Sequence, residues 1–233
     1  MQSSSLCKVV SRLYSPEPCL SNSSSCRLEI PDMARPKEFD PERALAKAMN
    51  LFWRLGYENT SLEAIMKETG IARQSLYDTF GDKRALYLKA MAHYRDQSIA
   101  QMQKMLNETP SVKDGFARLL YGLAGETRKQ HEWGCLLLSA NLQRDHKDAV
   151  ITNLLRDNQA RVEGIFLQAL ARAQKQAELS RNDDPAALAH FFVVTIQGMR
   201  AMARLKSDKR ALEQVARVAL GVFNSPHPRH EKS

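Results

Sequence analysis

Between residues 60 and 83 the chain gathers side chains that can address polar edges from outside: Thr60, Ser61, Arg73, Gln74, Ser75, Tyr77, Asp78, Thr79 and Lys83. An arginine fork matches the major-groove edge of guanine, and a side-chain amide matches that of adenine. Hydroxyls, an ammonium and a phenol suit phosphate oxygens. At about 100° per residue, Gln74 and Asp78 point one way, flanked by Arg73, Ser75 and Tyr77, while Leu76 and Phe80 point the other, with Ala72 and Thr79 nearby. Such a face could read base pairs: Arg73 would pair with guanine, Gln74 with adenine, and Tyr77 would pack on a thymine methyl or reach a phosphate. Any surface helix is polar outside, so the neighbouring elements must decide. Catalytic chemistry finds no foothold. His131 and His146 lack a metal-binding partner at helical spacing, and there is no glycine-rich phosphate loop. The sequence predicts no enzyme, no metal and no cofactor.

Two short helices joined by a glycine turn would hold this face. The pattern predicts Thr60–Thr69, then Gly70-Ile71, then Ala72–Phe80, with Gly81 as the stop. Thr60-Ser61-Leu62-Glu63 reads as a capping box, and Leu62, Ile65 and Met66 give that helix its apolar stripe. A preceding helix starts at an Asp40 cap with Pro41 in its first turn, buries Leu45, Met49, Phe52 and Trp53, and ends at Gly56. A long fourth helix runs from the Asp82 cap to Leu106. Beyond the Thr109-Pro110-Ser111 break, helices are predicted over 112–129, 133–143, 148–178, 185–206 and 208–223. The fold class is all-α, about nine helices: an N-terminal three-helix helix-turn-helix domain over 33–82, then a second helical domain over 83–224.

The run from Thr60-Ser61-Leu62-Glu63-Ala64-Ile65 through Gly70-Ile71 to Ser75-Leu76-Tyr77-Asp78-Thr79-Phe80-Gly81-Asp82-Lys83-Arg84-Ala85-Leu86 resembles the DNA-binding signature of the TetR family of transcriptional regulators. About fifty consecutive residues carry the likeness, and Leu-Tyr-x-x-Phe-x-x-Lys is its most specific part. The resemblance implies that Ser75 and Tyr77 contact DNA backbone or bases, that Lys83 binds a phosphate, that Thr60 or Ser61 approaches another, and that Arg73 and Gln74 lie at the variable base-reading positions, with Thr79 completing the set. Three residues depart from the pattern. Ala72 replaces a common capping serine, Met66 a small residue, and Asp78 sets an acid near DNA, where it is expected to orient Arg73.

The family likeness also implies a repressor released from double-stranded operator DNA by a small-molecule effector, working as a cytoplasmic homodimer. An effector pocket within 91–180 would draw on Met91, Met102, Phe116, Tyr121, Trp133, Cys135 and Phe166, each of which is also a natural core residue. Cys135 could alternatively act as an electrophile or oxidation sensor, with His131 four residues away and no flanking lysine. In 186–205, His190, Gln197 and Arg204 form one polar line on an otherwise apolar helix, which must therefore be covered on more than one side. With the helix after it, this predicts a four-helix dimer interface using Phe192, Ile196, Met199, Leu212, Val215 and Val222, against the alternative of a purely internal core. The polar line, with Arg200, is expected to keep this helix out of a membrane.

The 233 residues carry a formal net charge of +8, which favours polyanions. Residues 33–90 hold ten basic and eight acidic groups, so the excess is not concentrated at the predicted reader. A sequence-indifferent, nucleoid-type DNA binder would also explain the charge and stands as the alternative. Residues 1–32, with nine serines and no periodicity, are expected to be a disordered extension, 225–233 a flexible tail, and Met33 the natural start. Cys7, Cys19, Cys26 and Cys135 match no zinc or disulfide spacing.

Overall fold

In the computed structural model, which describes residues 39–143 and 148–224, every regular element is helical. The expectations for 1–32, for Met33 as the start, for the 225–233 tail and for His146 fall outside the described residues.

The chain's punctuation sets the helix ends. Helix α1 (Pro41–Leu55) opens where the Asp40 carboxylate accepts from the Glu42 and Arg43 amides at 2.9 and 3.3 Å. It buries Ala44, Ala48, Met49, Leu51 and Phe52, so its inner stripe is rotated from the expected one, and Leu45 and Trp53 are only half-buried at its edge. Helices α2 (Leu62–Thr69) and α3 (Arg73–Phe80) follow, then α4 (Lys83–Asn107), capped by Asp82 on the Ala85 amide at 2.7 Å.

The span 112–129 is two helices rather than one, which brings the described α-helices to ten. Helix α5 (Val112–Ala124) stops at Gly125, and α6 (Arg128–Trp133) starts with a capping box between Thr127 and Gln130. Trp133 therefore ends a helix instead of beginning one. Gly134 takes φ +65°, and α7 (Leu136–Gln143) begins two residues later. Helix α8 (Ala149–Lys175) closes before 178 because Ala177 turns to φ +57°. That turn sends the Glu178 carboxylate back to the start of α5, where it accepts from Ser111 Oγ (2.9 Å) and the Val112 and Lys113 amides (3.1 and 2.9 Å). Helix α9 (Pro185–Leu205) uses the Asp184 cap and Pro185, and α10 (Lys209–Ala219) runs on into a 3-10 turn over Leu220–Asn224.

Two apolar clusters hold the helices. The first joins α1, α2 and α3 to the front half of α4 and to Leu136, Leu137 and Ala140 of α7. Its aromatic centre sets Tyr87 edge-on to Phe52 at 5.0 Å, with Tyr57 alongside. The second joins the end of α4 to α5, α8, α9, α10 and the 3-10 turn around Phe116, which lies 4.2 Å from Phe192 and 5.2 Å from Phe166 between ring centres. By length and composition alone α9 could cross a membrane, with 21 residues and a most apolar 18-residue stretch of mean hydropathy 1.3, so its polar line does not settle that point as expected. In the fold, Ala189, Phe192, Val193, Met199 and Ala203 of this helix are buried within the second cluster.

Candidate nucleic-acid interface

Helix α3 sits on the first cluster by Leu76 and Phe80, both buried, while Arg73, Gln74, Tyr77 and Asp78 stand exposed and Ser75 and Thr79 are half-buried. The turn before it depends on Gly70, which adopts the left-handed conformation (φ +77°, ψ 17°) that an L side chain resists. Ala72 supplies no side-chain cap, which leaves the first amides of α3 unclaimed by a side chain at that end. Lys89 Nζ donates to the Thr79 carbonyl at 3.2 Å and ties the back of α3 to α4.

The capping arrangement differs from the expected one. Thr60 is wholly buried and donates its hydroxyl to the Gly56 carbonyl at 2.6 Å, so its side chain is not free to meet a phosphate. Ser61 is the cap of α2, accepting from the Ala64 amide at 3.1 Å, and it is exposed. Glu63 is held below the usual carboxylate range, first by its own backbone amide and then by the Ser61 hydroxyl.

Asp78 does not orient Arg73. It accepts instead from Gln74 Nε2 at 2.8 Å, one helical turn back, and Arg73 pairs with Glu63 of α2 at 3.3 Å. The physical reason is reach: Gln74 and Asp78 are i, i+4 neighbours on one face, whereas Arg73 leans toward the end of the facing helix. Both members of the Arg73–Glu63 pair are well exposed, so the pair is weak and easily exchanged for a phosphate or a base. Lys83, in the first turn of α4, holds its ammonium 4.4 Å from the centre of the Tyr57 ring. Tyr57 is itself pushed above its ordinary value by burial and then by Glu58 and Asp82. Neither Glu63 as a partner nor Tyr57 as a platform was foreseen, because each meets its partner across a turn whose path local pattern does not specify.

Comparison with known proteins decides the class. Residues 44–90 match the family model described as "Bacterial regulatory proteins, tetR family", and residues 119–219 match "Tetracyclin repressor-like, C-terminal domain". The HTH-type transcriptional repressor ComR of Escherichia coli (strain K12) is 34% identical over 81% of this chain and 91% of its own length. An uncharacterized HTH-type transcriptional regulator of Bacillus subtilis (strain 168), YezE, is 30% identical over 82% of this chain and all of its own length. The chain belongs to the TetR family. Among solved structures, a cysteine mutant of the TetR family regulator CifR, complexed with 26-bp double-strand operator DNA, is 29% identical and superposes with a TM-score of 0.70 over 80% of this chain and 97% of that one. The protein is a DNA-binding transcriptional regulator and not an enzyme, and nothing supports the nucleoid-type alternative.

In the regulatory half of this TetR-family protein, a cavity of about 350 Å³ opens among α4, α5, α8 and α9. Met102, Cys135 and Phe166 lie on its wall. Met91, Phe116, Tyr121 and Trp133, expected there, do not. Met91 is buried in the first cluster and Phe116 at the centre of the second. Tyr121 faces outward, and Trp133 packs edge-on against Trp53 at 5.5 Å. The wall also carries Tyr94, Arg118, Glu126, Gln197 and Arg200, which apolar periodicity had no means of finding. Tyr94 is raised above its usual value by burial and by Cys135, with which its hydroxyl interacts. The hydrogen-bond partners of His131 are other than Cys135. Its ring nitrogens bond Ser207 Oγ (2.6 Å) and the Leu123 carbonyl (2.9 Å), so it is a satisfied buried histidine.

The expected interface set is also redistributed. Phe192, Met199 and Leu212 are buried within the subunit, Ile196 lines the cavity, and Val222 is half-buried against the second cluster. Val215 is exposed. On α9 and α10 the exposed large apolar side chains are Phe191, Val194, Met202 and Leu205, with Val215 and Val218, Leu205 and Val218 being 80% and 77% exposed. Of the expected interface residues on α9, Phe192 and Met199 are taken up by the subunit's own core, while Val194 and Leu205 stay outside it.

Contacts between the two halves are long-range. Trp53 Nε1 donates to the Gly134 carbonyl at 2.9 Å, and its ring meets Tyr94, on the cavity wall, edge-on at 5.0 Å. Arg84, in the first turn of α4, donates to both oxygens of Asp148 at 2.9 and 3.0 Å, and Asp148 caps α8.

Proposed function

We propose that this chain is a repressor that binds a pseudo-palindromic operator as a homodimer and is released by a small molecule held in the α4–α9 cavity. The observation that carries the reading is the outward face of α3: Arg73, Gln74, Tyr77 and Asp78 exposed on a helix whose opposite side is anchored by Leu76 and Phe80. A helix of this kind fits the major groove, and its polar face can distinguish base pairs there. Ser61, Ser75, Thr79 and Lys83 would take phosphates around it, with Thr60 acting through the turn it braces.

One such helix spans too few base pairs for useful specificity, and two-fold pairing doubles the site. The apolar side chains exposed on α9 and α10 support that pairing, since a four-helix seam between subunits would cover Val194, Met202, Leu205 and Val218. An effector that favours the arrangement unable to span two half-sites would shift the population and free the DNA, acting in the cytoplasm. Trp53 and Arg84 supply the mechanical links from cavity to reader.

Selection of bound duplexes from a random pool at fixed salt tests the proposal. A two-fold symmetric consensus is expected, with half-sites about one helical turn apart. Equal retention of all duplexes, together with a steep salt dependence, would refute it.

A further inference from the structure

This inference rests on the reading of the α4–α9 cavity as the effector site and adds the chemistry of what enters it. Three formal charges stand on the cavity wall: Arg118, Glu126 and Arg200. Together they leave one net positive charge. Arg118 is exposed at the rim. Arg200 is withdrawn, with only 28% of its side chain exposed, and its nearest carboxylate oxygen, from Glu126, is 3.6 Å away. Among the described residues the Arg200 guanidinium makes no closer hydrogen bond. A guanidinium holds five N–H donors in a rigid planar fork, and one carboxylate oxygen at 3.6 Å leaves donors available to an incoming acceptor.

Its surroundings keep the charge in place. A guanidinium keeps its proton inside a protein, and although burial works against its charge Arg200 is held above its ordinary value, with the Glu126 carboxylate among the causes. A second cavity of about 240 Å³ shares Cys135, Asn158, Gln159, Gln197 and Arg200 with the first, so the fork sits where the two meet. The larger cavity also carries the apolar Met102, Met105, Val162, Phe166 and Ile196, beside uncharged polar residues such as Gln101, Gln130 and Gln159. The two methionines lend that wall an adaptable shape.

We infer that the cavity takes an organic acid: a single planar carboxylate seated on the Arg200 fork, with an apolar body lying against Met102, Val162, Phe166 and Ile196. Carboxylate and guanidinium match as two parallel hydrogen bonds, which an alcohol or amine cannot reproduce. The incoming acid displaces Glu126 as the partner of Arg200. The volume lies at the small end of ligand pockets, which suits a medium-chain or single-ring acid rather than a long acyl chain.

The test is calorimetric titration of the purified protein with decanoate and with para-butylbenzoate, each beside its matching primary alcohol. Each acid is expected to bind at least tenfold more tightly than its alcohol. Arg200→Gln should abolish that preference while leaving alcohol binding in place. Glu126→Gln should tighten the acids several-fold, because it removes their competitor. That opposite sign carries the test even if Arg200→Gln does not fold. The inference is overturned if alcohols bind as well as acids, if neither binds, if Arg200→Gln keeps the acid preference, or if Glu126→Gln weakens the acids. A protein that selects a symmetric operator yet ignores both acids overturns this inference alone. One that binds the acids but prefers no duplex overturns the repressor reading alone.

Discussion

Lys83→Ala offers the most direct measure of whether the start of α4 meets DNA. The ammonium lies in the first turn of α4, beside α3, and rests 4.4 Å from the Tyr57 ring centre. If it neutralises one phosphate in each subunit, two counterions are released per dimer on binding. Each contributes about 0.9 to the slope of log K against log salt, so the pair contributes ~1.8. Raising salt from ~50 to ~200 mM should then weaken the wild-type complex about twelvefold more than the variant complex. The assay is operator binding by anisotropy at several salt concentrations, on the duplex recovered by selection. Tyr57→Leu is the companion variant. It removes the ring under the ammonium but keeps the charge, so affinity should fall by a few-fold through lost positioning while the slope stays at the wild-type value. Folding is not at stake for Lys83→Ala, since alanine is the better helix former and a half-buried cation–ring contact such as this one is worth about 0.5–2 kcal/mol. Parallel salt lines for wild type and Lys83→Ala would refute the assignment of Lys83 to a phosphate.

Glu178→Gln should lower unfolding stability by ~1–3 kcal/mol in urea titration, because a neutral amide replaces a carboxylate that accepts from Ser111, Val112 and Lys113. Burial pushes the Glu178 carboxyl up, but those donors outweigh it and hold the group below its ordinary value. The stabilisation is therefore complete above the unfolded pKa of about 4.3 and is lost as pH falls through the lower folded value; the gap between wild type and Glu178→Gln should close on that acid side. Trp53→Phe keeps the ring contacts but leaves the buried Gly134 carbonyl without its donor, which should cost ~1–3 kcal/mol by thermal or urea melts; an unchanged midpoint would mean that the bond is not a link between the halves. Val194→Glu combined with Val218→Glu places acids at positions 69% and 77% exposed in the subunit, so the fold should survive while sedimentation reports monomers; a persistent dimer would place the seam elsewhere.

Much of this architecture was legible in the order of residues. The Asp40-Pro41 start, the glycine turn at Gly70, the Asp82 cap and the two faces of α3 all follow from rules that act within a few residues, and all are found in place. Local rules also erred where two local options competed. Thr60 and Ser61 could each cap α2, and the choice was made by the Gly56 carbonyl, which claimed the Thr60 hydroxyl.

What the sequence by itself determined is helix order, helix ends and the angular position of each side chain about its own axis. Only the tertiary structure decided which apolar side of α9 faces inward, with Phe192 and Met199 enclosed and Val194 and Leu205 left outside. Only it brought Arg200, Glu126 and Tyr94 to one cavity and Trp53 to Gly134, 81 positions away. The reason is physical: periodicity records that a side is apolar, but a subunit core and a subunit seam demand the same residues. A polar cavity wall leaves no repeating signal, because its members arrive from different helices and share only a place.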